Sequence, residues 1–218
     1  AKLADFTHIV SHNIRSNTSN ITMLIDLIED TEEFSEQKEY FKLLKQSNNK
    51  LSETISHLND TIDLQFTSKK RKTEINIQTE INTILETFKE QIDFEKIKIE
   101  LSITKDLTVY TIPTYFESII SNLISNAIKY KSPKRKLIIK ITARKEKRKT
   151  LITVEDNGIG IDLIKNKDKI FGMYKTFHNN SDAIGLGLFM IKNKVNVLGG
   201  SIKVESKINS GSLFKLVL

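Results

Sequence analysis

The chain has 218 residues, 39% of them hydrophobic, a formal net charge of +7 and no cysteine. That length and apolar content allow one large packed domain or two smaller ones, and the lack of cysteine excludes disulfide frameworks, thiol nucleophiles and thiolate metal sites while fitting a reducing cytosol. No apolar run reaches the roughly 18 residues of a membrane span and the N-terminus lacks the basic-then-apolar order of a signal peptide, so a soluble, cytoplasmic piece is expected, with membrane attachment only through upstream segments.

From Leu3 to about Asp30 apolar residues recur at helical spacing: Phe6, Ile9, Val10, Ile14, Ile21, Leu24, Ile25 and Ile28. Thr31 to Ser35 interrupts the pattern, and a second helix runs to about Phe66 on Leu44, Leu51, Ile55, Leu58 and Ile62. Two such helices cannot close a core between themselves, so the spacing predicts a hairpin that dimerises into a four-helix bundle. The run Ser68-Lys69-Lys70-Arg71-Lys72 is a charged joint, which divides the chain into domains at residues 1–67 and 68–218. Charge divides the same way, with 6 Lys+Arg against 11 Asp+Glu in residues 1–66 and 28 against 16 in residues 67–218. The basic second part fits a phosphate-bearing small molecule or a solvated lysine-rich surface. No helix-turn-helix, zinc-finger or RNA-binding aromatic signature accompanies it, and no nucleic-acid partner is expected.

Beyond the joint, strands and helices alternate. Lys72 to Ile77 reads as a strand, Thr79 to Phe94 as a helix, and Lys98 to Ile103 and Leu107 to Tyr110 as strands. Pro113 suits the first turn of a helix that continues to about Tyr130. Leu137 to Arg144 and Thr150 to Glu155 flank a charged turn and form a hairpin. Leu186 to Leu198 is helical and stops at Gly199-Gly200, and Ser201 to Ser206 with Leu213 to Leu218 makes a final hairpin. The expected fold class is α+β: the helical hairpin, then a mainly antiparallel sheet with helices on one face.

Three segments of the second domain carry chemistry. Asn122, Asn126, Lys129 and Tyr130 share adjacent turns of one helix. Asparagine oxygens are hard neutral ligands for a hydrated Mg²⁺ that also holds phosphates, and a nearby lysine neutralises those phosphates, although a polar solvent face has the same pattern. Asp156-Asn157-Gly158-Ile159-Gly160 directly follows a strand. A carboxylate there can accept a hydrogen bond from an exocyclic amine such as that of adenine, and glycines let backbone approach a flat ring; an ordinary Asn-Gly turn is the competing reading. Gly185-Leu186-Gly187-Leu188 opens a helix, where free N–H groups and the dipole favour phosphate. In the first domain, Ser11-His12-Asn13-Ile14-Arg15-Ser16-Asn17 holds His12, the only side chain in that stretch able to act as a neutral nucleophile near pH 7.

In order and spacing these segments resemble the N, G1 and G2 boxes of the ATP-binding domain of sensor histidine kinases, a Bergerat-type α/β sandwich shared more widely with Hsp90, gyrase and MutL. Ile170-Phe171-Gly172-Met173-Tyr174 looks like the F box of the ATP lid, and the N-terminal hairpin with Ser-His-x-x-Arg resembles the dimerisation and phosphotransfer domain. The resemblance implies an ATP-dependent kinase that autophosphorylates His12 and passes the phosphoryl group to an aspartate on a response regulator receiver domain, with dephosphorylation of that partner as a further activity. It implies that Asn126, supported by Asn122, coordinates Mg²⁺, that Lys129 meets a phosphate and that Tyr130 stacks near the base. Asp156 would read adenine, Gly158 and Gly160 would shape its pocket, Gly185 and Gly187 would cradle phosphates, and residues 165–183 would form the lid.

Departures from the family pattern sit beside the histidine. Asn13 stands where relatives carry Asp or Glu to fix the ring tautomer, Ser16 where Thr or Asn positions a water, and Asn17 where many have proline; Ala183 replaces a glycine of the lid. Ala183 is expected to alter lid mobility rather than binding, whereas Asn13 supports an alternative: a homodimeric, nucleotide-binding scaffold, or a phosphatase-biased relative with weak autokinase activity. His8 lies one helical turn before His12 and reads as a partly exposed bundle residue, while His57 and His178 have no neighbouring motif.

Overall fold

The computed structural model describes residues 2–65, 71–166, 170–172 and 187–218. The chain divides into two units, Ala1–Gln65 and Phe66–Leu218.

The first unit is a helical hairpin of α1 (Lys2–Asp30) and α2 (Phe34–Gln65), packed on each other. α1 runs unbroken through Asn17. Gln37 closes the turn by donating its side-chain amide to Thr31 O at 2.6 Å. Among the described residues Leu24 is the one buried hydrophobic side chain of this unit, while Met23 (60%), Phe34 (79%) and Phe41 (57%) stay exposed. A single hairpin therefore leaves these side chains in water and Ile14, Ile21, Ile28, Leu44 and Leu51 of its apolar stripe only half-buried. Among the described residues no helix is long and apolar enough to cross a membrane.

The second unit places a five-stranded sheet beneath helices, with strands β2 (Lys98–Ile103), β4 (Ile138–Glu146), β5 (Lys149–Asp156), β6 (Ser201–Lys207) and β7 (Gly211–Val217). Their order across the sheet is β2-β4-β5-β7-β6. Every pairing is antiparallel except β2 with β4, as Ile99↔Ile139 and Leu101↔Ile141. The chain leaves β2 through β3 (Thr108–Thr111) and α5 (Pro113–Lys129) before returning as β4, and such a crossover delivers a parallel neighbour. Alternation in the strands sends Ile139, Ile141, Ile152, Val154, Ile202, Phe214 and Leu216 to the buried face. The opposite face is lined by Lys140, Arg144, Glu155, Lys203 and Lys215 with Thr142 and Thr153, whose hydroxyls meet at 2.7 Å.

Two features depart from the sequence expectation. The strand at β1 (Thr73–Asn76) does not join the main sheet; it pairs with β3 in a separate antiparallel ribbon, Ile75 opposite Val109. The helix expected from Thr79 to Phe94 is two helices, α3 (Ile77–Thr87) and α4 (Lys89–Glu95). α3 starts two residues early because Asn76 caps it, its side-chain oxygen accepting the Thr79 N–H at 3.0 Å. It ends at Phe88, whose backbone (φ −101°, ψ 3°) leaves the helical basin and whose N–H turns back to Leu85 O. The remaining elements are α6 (Leu163–Asn166) and α7 (Gly187–Val197). α5 packs between α3 and α7, with Tyr115, Phe116, Ile119, Ile120, Leu123 and Ile124 buried.

Candidate functional site

The helix α5 uses one face for packing and so presents the other. Pro113 at its first position costs no hydrogen bond, and the apolar stripe through Ile128 is buried. Asn122 and Asn126, four residues apart, are half-buried on the same side; Lys129 is exposed in the last turn and Tyr130 caps the end. The Asn122 side-chain amide donates to Ser118 O at 2.8 Å, which turns its oxygen the other way. A Cβ added to Gly187 would stand 3.6 Å from that oxygen. The first residue of α7 thus lies against the middle of α5. The first turn of α7, whose N–H groups a helix leaves without intrahelical partners, and a hard amide oxygen meet at one place.

The loop after β5 meets the end of α5. Gly158 donates its N–H to Asp156 Oδ1 at 2.7 Å, and Ile159 N–H reaches Tyr130 O at 2.9 Å. A Cβ on Gly158 would come within 2.5 Å of Tyr130 O, so only glycine allows this approach. Gly160 has φ +68° and its Cβ would fall 2.0 Å from Lys207 O. Asn157 ties the loop to the start of β4 through Ile138 N–H at 2.9 Å and Lys136 O at 2.9 Å. Asp156 is half-buried, and loss of hydration pushes its carboxyl above the usual aspartate range, partly offset by the N–H groups of Gly158 and Ser212 and by the charge of Arg135. As pH falls it takes a proton earlier than an ordinary aspartate does, and with it loses acceptor capacity.

Asn122, Asn126, Lys129, Tyr130, Asp156, Gly158, Gly160 and Gly187 therefore belong to three segments that touch in pairs, α5 being common to both contacts. Of the expected lid, Ile170 is buried and Phe171 lies with the Lys192 ammonium 5.9 Å from its ring centroid. Gly185, Ala183 and most of the lid, together with His178, lie outside the described residues. His12 and Ser16 are exposed on α1, with Asn13 half-buried between them; exposure is what a group accepting a phosphoryl from another molecule requires.

Sequence reasoning passed over two cations here. Lys194 is 2% exposed on α7, donates to Ser118 Oγ and has its ammonium 5.9 Å from the Tyr115 ring centroid. The signal was present, since 190, 191, 194 and 195 share the buried face of α7 and a lysine stands at one of them. Arg135 donates to three carbonyl oxygens of the Asp156 loop and its neighbours, and no motif marks it. Among the described residues no group of three or more His, Cys, Asp or Glu is placed to hold a metal ion. The amide oxygen of Asn122 beside the α7 N-terminus fits Mg²⁺, which keeps waters and shares phosphates rather than sitting in an all-protein cage.

Residues 111–218 match the model of the histidine kinase-, DNA gyrase B- and HSP90-like ATPase family. The chain is 31% identical to the autoinducer 2 sensor kinase/phosphatase LuxQ of Vibrio vulnificus over 234 residues, covering 98% of this chain and 26% of that protein. It spans between 26% and 43% of the length of the first curated relatives it matches. Among solved structures, histidine kinase ThkA in complex with the response regulator protein TrrA superposes with a TM-score of 0.76 at 25% identity, over 99% of this chain and 61% of that one. The histidine kinase AdeS of Acinetobacter baumannii shares the fold, with a TM-score of 0.74 at 21% identity over 95% of this chain and 96% of that one.

Proposed function

We propose that this chain, which belongs to the sensor histidine kinase family, is an ATP-dependent histidine autokinase. In this reading it phosphorylates His12 and passes the phosphoryl group to an aspartate on the receiver domain of a response regulator. The observation that carries it is the junction of three segments at α5: the Asp156 loop against Tyr130, and the α7 N-terminus against Asn122. The response regulator bound to ThkA supports the class of partner. The exposed Met23, Phe34 and Phe41 support a homodimer through the hairpin, in which four helices cover what two leave in water.

Asp156 would accept the exocyclic amine of adenine, and Tyr130 would lie near the base. Gly158 and Gly160 bring backbone close enough to border the ring. Gly185 and Gly187 would offer N–H groups to the phosphates and Lys129 a positive charge. Asn126, supported by Asn122, would hold Mg²⁺, which supplies neutralisation of the β- and γ-phosphate charge when bound. A nitrogen of the His12 ring attacks the γ-phosphorus with its lone pair; the N–P bond forms as the bond to the β,γ-bridging oxygen breaks, and ADP leaves. The proton on the second ring nitrogen is then given up to solvent. Such transfer depends on positioning and charge neutralisation, so motion between a nucleotide unit and an acceptor unit is a natural point of control. Incubated with γ-labelled ATP and Mg²⁺, the chain is expected to take up label that survives base and is lost in acid, as a phosphoramidate is. Label stable in acid would overturn the histidine assignment.

Asn13 favours a second reading, that of a scaffold or phosphatase-biased relative with weak autokinase activity. An amide oxygen can orient the His12 ring but cannot hold a negative charge beside it, so the second nitrogen is a poorer nucleophile. Ser16, one turn on, would position water for dephosphorylating the partner. Asn13→Asp is expected to speed autophosphorylation roughly tenfold, the effect of about 1.4 kcal/mol on the barrier. Single-turnover labelling measures it, and an unchanged rate argues against this account of Asn13.

A further inference from the structure

Three backbone carbonyls converge near the nucleotide loop. Arg135 Nε donates to Asn157 O at 2.5 Å, and one terminal nitrogen donates to Gly158 O at 2.6 Å and to Asn209 O at 2.8 Å. The first two oxygens belong to the loop that follows Asp156; the third belongs to the turn between β6 and β7, where Asn209 sits at φ +60°. Carbonyl dipoles aimed at one spot repel one another, and only a donor with several N–H groups at fixed angles quiets all three.

The rest of the loop is held elsewhere. Ile159 is fixed between Tyr130 O and the Asn209 N–H, and Ile161 N–H reaches Ser206 Oγ at 2.7 Å. Asn157 is stitched by its side chain to β4. Between these anchors lie the peptides of Asn157 and Gly158, and Gly158 N–H is the donor that orients the Asp156 carboxylate at 2.7 Å. The Arg135 bond to Gly158 O is at the other end of that residue.

We propose that Arg135 is a positioning residue of the nucleotide site: by clamping Asn157 O, Gly158 O and Asn209 O, it sets the aim of the Asp156 carboxylate and so how strongly the site distinguishes a purine by its exocyclic amine. This rests on the reading of Asp156 as the group that recognises adenine. Arg135 touches neither base nor phosphate in this scheme; it acts through the loop. A lysine cannot replace it, because a compact ammonium on a flexible stem lacks the two donor edges that span both loop carbonyls and the turn.

The test compares ATP with purine riboside triphosphate, which lacks the 6-amino group, by calorimetric titration of the whole chain. The wild-type protein is expected to bind ATP about tenfold tighter, the value of one good hydrogen bond to a charged acceptor. In Arg135→Ala that ratio falls to about two, while affinity for the analogue changes less than about threefold, since its phosphate contacts remain. General loosening would weaken both nucleotides alike and keep the ratio. Arg135→Lys carries the same comparison should the alanine variant not fold, and its ratio falls at least about threefold. A wild-type ratio retained in the Arg135 variants overturns the proposal alone. A wild-type protein indifferent to the amine overturns the assignment of Asp156 and this proposal with it.

Discussion

His12→Gln is expected to remove the acid-labile, base-stable label while leaving nucleotide binding within about twofold of wild type. The loss should be roughly 10³-fold or more, the scale on which removing a nucleophile acts. Glutamine keeps a polar side chain of similar reach and a better helix propensity, but its amide nitrogen has no lone pair to donate. His12 is exposed in the body of α1, so the substitution removes no packing and should alter stability by no more than about 0.5 kcal/mol. The residues proposed to bind nucleotide belong to the other unit, which is why binding serves as the control. His8 stands one turn before His12 on the same helix and is the obvious competitor. Label that persists in His12→Gln but disappears in His8→Gln moves the acceptor by one turn; label that persists in both ends the autokinase assignment on α1.

How much of this was legible beforehand depended on whether the signal was periodic. The stripe through Phe116, Ile119, Ile120, Leu123, Ile124 and Ala127 set α5 because apolar residues at that spacing have one buried face available, and Pro113 marked its start. The alternation in Lys140-Ile141-Thr142-Ala143 set β4 for the same reason. The hairpins β4–β5 and β6–β7 were marked by the turns between their strands, but pairing between strands distant in sequence is not periodic and was not legible. Thr73–Asn76 has the texture of any short strand, and nothing in those four residues says that its partner is β3 rather than an edge of the main sheet. The break at Phe88 was hidden because Leu85, Phe88 and Ile92 continue a helical stripe across it, so packing and backbone pointed different ways. Asn76 illustrates a signal present but unread: an Asn one residue before a helical stripe is a capping residue, and using it would have moved the start of α3 to Ile77.

The site divided likewise. The turn at Asp156, Gly158 and Gly160 also reads as an ordinary Asn-Gly turn, and its proposed role came from the resemblance of its segment, in order with α5 and Gly185-Leu186-Gly187, to the nucleotide boxes of sensor histidine kinases; α5 offered Asn122 and Asn126 on a face that packing did not need. The contact of Gly187 with Asn122 joins residues 65 positions apart and appears only in three dimensions. Arg135 gave no sign because its partners are main-chain oxygens, which no side-chain pattern reports. Lys194 did give one, a charge on a buried helical face, and its position between Ser118 and Tyr115 places a cation inside the packing of α7 against α5.

Gly160→Ala is expected to have the largest structural effect in the nucleotide unit. Two costs add at this residue. Its φ of +68° puts an alanine in the left-handed basin, at about 1–2 kcal/mol. The new methyl carbon would also lie 2.0 Å from Lys207 O, and that atom is main chain inside the β6–β7 hairpin, not the end of a flexible side chain. Either the loop or the hairpin must move, and the loop is the less heavily bonded of the two. The expected outcome is a loss of about 2–4 kcal/mol in unfolding free energy. For a unit of this size that corresponds to a fall of roughly 5–15 °C in melting temperature. ATP affinity should drop by about ten- to a hundredfold as Asp156 loses its aim, since 1.4 kcal/mol is a factor of ten. Gly199→Ala separates the two costs: Gly199 has φ +79° but, among the described residues and apart from its chain neighbours, no atom lies within 4 Å of where its Cβ would be. It should lose only the backbone part, about 1 kcal/mol, and bind ATP as wild type does. Thermal melts and nucleotide titrations of the two variants side by side decide the matter. Equal melting temperatures and equal ATP affinities would mean that the close approach of the Asp156 loop to the β6–β7 hairpin is not what holds the site in shape.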